Sequence, residues 1–464
     1  MPEPIVSPID GQVAHQFEYL DDAAALAVVE RAHAVQREWR RSSIADRGRL
    51  CLAMLDAFER NADPYAREIT TMMGKPLGEA RGEIGTMRAR VEALVELAPA
   101  ALADELLPEV PGFRRLIRHE PVGVVLDIAA WNYPLVVPIN VVAGAVLAGD
   151  AVLIKHSPQT ALCGAQLARS FAEAGAPEGL VSDFLCTHET VARVLGRRVI
   201  DQVAFTGSVR GGHEVYRAAA QDNFIGVGLE LGGKDPALVL PDCDFDFTVS
   251  NLVEGAFYNA GQSCCAIERI YVHEQIWDRF VEAYVAHTRR LKLGDPLAEG
   301  TTLGPVVNAH AAARVQQQVA AALSAGAQLL TDEADFEVPD RSPCYVAPKV
   351  LIDVDHSMAL MREETFGPAI GLMKVRDEDQ ALALMNDSRY GLTASIWTGD
   401  DERAERVERL ADALETGTVF QNRCDYLDPQ LPWVGVKDSG HGVSLSHLGL
   451  RALTRPKSLH FRRR

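Results

Sequence analysis

Between residues 122 and 231 the chain repeats one pattern, a short apolar run followed by a stretch with helical spacing. The runs are 122–126, 151–154, 202–205 and 225–231; the helical stretches are 139–147, 160–174 and a segment from about Gly211. Strands that alternate with helices pair in parallel, with the crossover helices on the sheet faces. This predicts an α/β fold with a Rossmann-like sheet. Such sheets bind ligands outside the carboxyl ends of their strands. Asn132, Lys155, Gly207 and Glu230 fall at or just after those ends.

One part of this region imitates a membrane helix, since residues 128–149 carry no charged side chain. Length alone would allow a span. Pro134 and Pro138 interrupt its first half, and Asn132 and Asn140 add polar groups that hydrocarbon would not satisfy. A buried strand, a loop and a buried helix account for it better.

At 464 residues the chain is long enough for more than one domain. After Lys234 the alternation starts again, with strands at 237–240 and 270–272 and helices at 277–290 and 311–325. These define a second α/β unit. The first hundred residues read as helices, over roughly 24–39, 47–60 and from 64 to the Gly74-Lys75-Pro76 break. Residues 113–119 and 458–461 form a third element, two strands far apart in sequence whose edges need cover. A net charge of −18 argues against nucleic acid or an anionic membrane as partner. Eight thinly spread cysteines show neither zinc spacing nor a disulfide framework, so no metal site is expected. Together with a start lacking a basic, then apolar, leader, they predict a cytoplasmic protein with free thiols.

Two residues stand out chemically. Cys264 follows Gly261-Gln262-Ser263, small or polar residues suited to a turn, whereas most of the other cysteines read as packed thiols. Cys265 is the rival nucleophile on local sequence. Glu230 sits between Val227-Gly228-Leu229 and Leu231-Gly232-Gly233, an apolar strand end that would desolvate it and raise its pKa. A thiol attacks a carbonyl carbon, and a carboxylate activates the water that releases the acyl group. Gly226-Val227-Gly228 is rejected as a dinucleotide fingerprint, because its next glycine is Gly232 and no helix follows directly. Phe205-Thr206-Gly207-Ser208 is the better phosphate candidate, since it ends a strand and opens a helix. The Asn132 amide suits an oxyanion.

These segments together resemble the aldehyde dehydrogenase superfamily. The resemblance rests on Trp131-Asn132-Tyr133-Pro134, Lys155, Phe205-Thr206-Gly207-Ser208, Glu230-Leu231-Gly232-Gly233-Lys234, Gly261-Gln262-Ser263-Cys264, Glu364-Thr365-Phe366-Gly367-Pro368 and the segment 433–440, in the family's order. It implies Cys264 as nucleophile, Glu230 as base, and Asn132 with the Cys264 backbone N–H as the oxyanion site. It also implies cofactor contacts from Trp131, Lys155, Thr206, Gly207, Ser208, Glu364 and Phe366. The aldehyde pocket would be lined by Tyr133, Ser263, Cys265, Arg423 and Tyr426. The implied domains are a nucleotide-binding domain (1–102 and 122–232), a catalytic domain (233–425) and a small β oligomerisation arm (103–121 and 450–464), with 426–449 as a link. A homodimer or homotetramer is implied.

The activity so implied is oxidation of a small-molecule aldehyde to a carboxylic acid with NAD or NADP, through a thiohemiacetal and a thioester. Two alternatives are a CoA-acylating relative, opposed by the presence of Glu230, and a non-enzymatic protein that keeps the fold. Many NAD-preferring relatives carry a glutamate three positions after the lysine, where this chain has Pro158. Its absence admits NADP. The lack of an arginine in 155–160 leaves NAD slightly preferred. Arg423 would suit a carboxy-aldehyde; Asp425 and Asp428 would suit an amino-aldehyde.

Overall fold

The computed structural model describes residues 2–463; Met1 and Arg464, the last residue of the expected arm, lie outside it. The chain opens on an antiparallel hairpin, Glu3–Val6 with Val13–Phe17, which helical periodicity had not predicted. Four helices follow: α1 Asp22–Trp39, α2 Ile44–Glu59, α3 Ala62–Met73 and α4 Leu77–Ala101. Asp21 and Ser43 start the first two by accepting the backbone N–H of Ala24 and Asp46. Gly74 ends α3 at φ +84°, where a Cβ would lie 2.6 Å from the Pro305 carbonyl oxygen.

The first sheet has the strand order Gly440–His441, Gly226–Glu230, Gln202–Thr206, Val124–Ile128, Ala151–Lys155, Val181–Asp183. All neighbours in it are parallel except Gly440–His441, which runs antiparallel to Gly226–Glu230. Residues 426–449, expected only as a link, thus supply the edge of this sheet. The strands Val124–Ile128 and Ala151–Lys155 are mostly apolar and wholly buried, as strands covered on both faces are.

The charge-free stretch resolves into the last residue of the strand Val124–Ile128, a turn and the helix α5, Val136–Ala148. Pro138 stands in the first turn of α5, where no intrahelical N–H is lost. Glu83 of α4 caps the helix from outside, accepting the N–H groups of Leu135 (2.8 Å) and Val136 (3.1 Å). Its other oxygen pairs with buried Lys75 at 2.5 Å. At the far end Arg47, Trp39 and Gln36 donate to the carbonyls of Leu147, Val146 and Gly149. α5 is therefore held at both ends, by Glu83 of α4 beside the turn that carries Asn132 and by side chains of α1 and α2 at the far end.

The second sheet has the order Gln328–Leu329, Lys349–Ile352, Ala369–Val375, Ile267–His273, Asp235–Val239, Thr393–Trp397, Thr418–Gln421. A third, three-stranded sheet joins Glu105–Leu106, Phe113–Pro121 and Thr454–Arg462, so the two distant strands do pair, antiparallel and over their full length. Three further helices flank the first sheet: α6 Ala161–Glu173, α7 His188–Gly196 and α8 Val209–Ala220. Among the described residues no helix is long and apolar enough to cross a membrane.

Candidate active site

The loop that carries the two cysteines has an unusual backbone. Asn259, Ala260 and Gly261 all have positive φ, at 50°, 56° and 71°, a run that is costly for residues with a Cβ. Hydrogen bonds hold it. Asn259 N–H donates to half-buried Glu79 at 3.0 Å, and the Asn259 amide donates to the carbonyls of Asn132 (3.0 Å) and Gln262 (3.2 Å). Gln262 returns a bond to the Asn259 carbonyl at 3.1 Å and accepts Val307 N–H at 2.8 Å. The Asn132 amide donates to the Gln262 carbonyl at 3.2 Å. Asn132 and the Cys264 loop are thus one hydrogen-bonded unit, two residues before the thiol.

The cysteines differ in surroundings. Cys264 is partly exposed; Cys265 is buried, and its thiol donates to Asp425 Oδ1 at 3.0 Å. Ser263 donates to the same oxygen at 2.8 Å. The neighbouring Cys264 thiol, burial and the Asp425 carboxylate together hold the Cys265 thiol well above its usual pKa. A thiol so held stays protonated and is a poor nucleophile.

Glu230 ends its strand beside this loop. Three residues on, a Cβ at Gly233 would lie 2.5 Å from the Cys264 carbonyl oxygen, so only glycine permits this approach. Glu230 Oε1 accepts the Ser444 hydroxyl at 3.0 Å, while Oε2 is buried without a partner. Burial pushes the carboxyl up to about 8, against the opposing effect of Ser444 and the Trp433 indole. Trp433, Leu392, Leu445 and Cys265 form a small apolar cluster against which Cys264 packs. Glu230 and Cys264 therefore border the same apolar cluster.

The other predicted residues gather around the strand ends. Lys155 is 2 % exposed and has no carboxylate partner among the described residues. Ser208 caps α8 by accepting Gly211 N–H at 3.1 Å, and Gly207 N–H binds the Glu230 carbonyl at 3.0 Å after the strand ends at Thr206. Glu364 accepts Gly233 N–H at 3.2 Å, and burial pushes it up to about 7. Phe366, at φ 51°, packs edge-on to Trp131 with ring centroids 5.5 Å apart. The segment 364–366 is fixed by Glu268, which accepts the N–H groups of Thr365 and Phe366 and pairs with buried Lys234 at 2.5 Å.

Of the expected pocket residues, Tyr133, Ser263 and Cys265 meet around Asp425; the Tyr133 ring also lies 4.0 Å beneath the Lys75 amine. Arg423 is exposed and stacks on Tyr426 at 3.4 Å, while Asp428 accepts Gln430 N–H. Sequence reasoning missed Glu79, Glu268 and Ser444. None lies near its partner in the chain, and only the fold brings them together.

The residues fit a dinucleotide. An unpaired buried amine, a capped helix N-terminus for pyrophosphate, a half-buried carboxylate and an aromatic pair gather near the carboxyl ends of the first sheet's strands. A sequence profile described as "Aldehyde dehydrogenase family" matches residues 2–459. An NADP(+) succinate-semialdehyde dehydrogenase of Deinococcus radiodurans is 35% identical over 455 residues, 97% of this chain and 93% of that protein. NADP(+) succinate-semialdehyde dehydrogenase 1 of Mycobacterium tuberculosis is 33% identical over 461 residues, 99% of each. Among solved structures, succinic semialdehyde dehydrogenase from Streptococcus pyogenes in complex with NADP+ superposes with a TM-score of 0.93 at 29% identity, covering 99% of both chains.

Proposed function

The chain belongs to the aldehyde dehydrogenase family, and from that premise we propose which residues do the chemistry and what kind of aldehyde they act on. The activity itself is NAD(P)-dependent oxidation of an aldehyde to a carboxylic acid; the relatives support it over the CoA-acylating alternative.

Cys264 is assigned the nucleophile. The carrying observation is the contrast with Cys265, whose thiol is tied to Asp425. The Cys264 sulfur adds to the aldehyde carbon, and the developing oxyanion is met by the Asn132 amide and the Cys264 N–H. Bound NAD(P) supplies the hydride acceptor. Lys155, Thr206, Gly207, Ser208, Glu364, Phe366 and Trp131 are the residues that would hold it. Glu230 takes a proton from water, which then attacks the thioester and frees Cys264. With its pKa raised to about 8, Glu230 is mostly protonated at neutral pH and becomes a base as pH rises.

Both cofactors are within this reading. The slight NAD preference expected from sequence draws no support from the relatives, whose names carry NADP. Pro158 opens a short 3₁₀ turn and offers no carboxylate to repel a 2′-phosphate. The Lys155 charge, with burial, depresses the His188 pKa, which places a neutral imidazole able to donate a hydrogen bond nearby. We therefore favour NADP.

The substrate is read as an aldehyde with a carboxylate at its other end, on the strength of the relatives' names. The domain division given by sequence, a cytoplasmic location and a homodimer or homotetramer belong to the same reading. All eight cysteines are free, and the arm leaves Leu106 and Phe461 exposed beside its edge strands. Steady-state kcat/KM over carboxy-, amino- and neutral aldehydes tests the substrate class. A clear preference for an amino- or neutral aldehyde would refute it.

A further inference from the structure

Arg90 is a buried cation without an anion. It lies on α4, is 4 % exposed, and makes one side-chain hydrogen bond, from Nη1 to Asn140 Oδ1 at 3.1 Å. No carboxylate comes within 4.0 Å of it among the described residues. None of its nitrogens is both sealed from solvent and unpartnered, so Nε and Nη2 face accessible space. Burial lowers its pKa to about 10, against Cys265, Tyr426 and Asp428, all close enough to act on it. It is charged at neutral pH.

Its position relates it to the thiol. Tyr133, Val137, Asn140 and Val141 are only partly buried, whereas the residues between them are buried. Their spacing puts the three helical ones on one face of α5, a stripe that starts beside Asn132. Asn140 lies about 10 Å along it from Tyr133 at the helical rise. Arg90 stands over its outer part. The other charged side chains weighed from sequence are engaged elsewhere: Arg423 on the Tyr426 ring, Asp425 with Ser263 and Cys265, and Asp428 on Gln430 N–H.

We propose that Arg90, oriented by Asn140, binds the distal carboxylate of the substrate and so selects carboxy-aldehydes. This rests on the reading that the substrate is such an aldehyde. An isolated buried charge is strongly disfavoured, and a planar guanidinium with two free donors matches a carboxylate in bidentate fashion. The planar fork, not charge alone, would set the discrimination.

The test measures kcat and KM for succinate semialdehyde and butanal with wild type, Arg90→Gln and Arg90→Lys, alongside thermal melting and the pre-steady-state burst. Glutamine keeps a donor for Asn140. The expected result is a loss of kcat/KM for succinate semialdehyde on the order of a hundredfold in Arg90→Gln, carried mainly by KM. Butanal should lose far less, and Arg90→Lys should fall between. Equal losses on both aldehydes, or none on either, would overturn the proposal. If Arg90→Gln does not fold, Arg90→Lys decides, since it must still lose more on the carboxylated substrate. A wild type that prefers butanal overturns the substrate reading itself, which is a different outcome from wild-type preference unaffected by the variants.

Discussion

The Ser444 hydroxyl donates to Glu230 Oε1 at 3.0 Å across 214 positions of chain, while Oε2 of the same carboxylate is buried with no partner. The carboxylate is therefore half solvated by one fixed hydroxyl. Its pKa, raised to about 8 by burial, would rise further without that donor, because the bond favours the charged form.

Glu230→Gln should keep a burst of reduced cofactor and lose steady-state turnover by about 10²–10⁴-fold, the usual worth of a general base. In wild type, turnover limited by thioester hydrolysis should climb with pH and level off above about 8. Stopped-flow absorbance with a kcat–pH profile checks both. A profile that is flat from pH 6 to about 9 would show another group to be the base.

Ser444→Ala should displace that profile to higher pH while leaving the burst amplitude near wild type. The sign follows from the lost donor, which destabilises the carboxylate. A displacement to lower pH would contradict the assigned contact.

Cys264→Ala is expected to abolish both burst and turnover, and Cys265→Ala to retain most activity. Thiol labelling should follow the same order, with Cys264 alkylated first, because Cys265 is held as the thiol beside Asp425. Faster labelling at Cys265 would reverse the assignment.

Pro158→Glu should lower kcat/KM with NADP by tenfold or more relative to NAD, roughly 1.4 kcal/mol. The new carboxylate would face the ribose near Lys155. An unchanged cofactor ratio would place the discriminating contact elsewhere.

Glu268→Ala should destabilise the protein by roughly 3–5 kcal/mol, the range for orphaning one member of a buried pair. It strands Lys234 and removes the acceptor of Thr365 and Phe366 N–H. Urea unfolding would measure the loss, and weakened cofactor binding should accompany it.

The strand ends, the glycine-rich approach to Cys264 and the distant arm strands were legible because each leaves a local mark: an apolar run, a turn, a β-rich terminus. Arg90 left none. It stands between Arg88 and Glu92 in a charged stretch of sequence, and its burial depends on α5 packing across it. Asn140 was visible as a polar residue in an apolar stretch, but its partner lies 50 positions earlier. Likewise Gly440–His441 is too short to announce a strand, and only pairing with Gly226–Glu230 makes it one. The initial hairpin escaped because its strands, Glu3–Val6 and Val13–Phe17, bury only Ile5 and carry no long apolar run.

That late pairing has a consequence for biosynthesis. The edge of the first sheet and the ligand of Glu230 come from residues 440–444, and the arm closes only with Thr454–Arg462. A ribosome that has delivered Cys264, Asn132 and both large sheets still holds an unfinished base site and two open strand edges. Until residues 440–462 emerge, the nascent chain keeps those edges open and prone to pair with its neighbours.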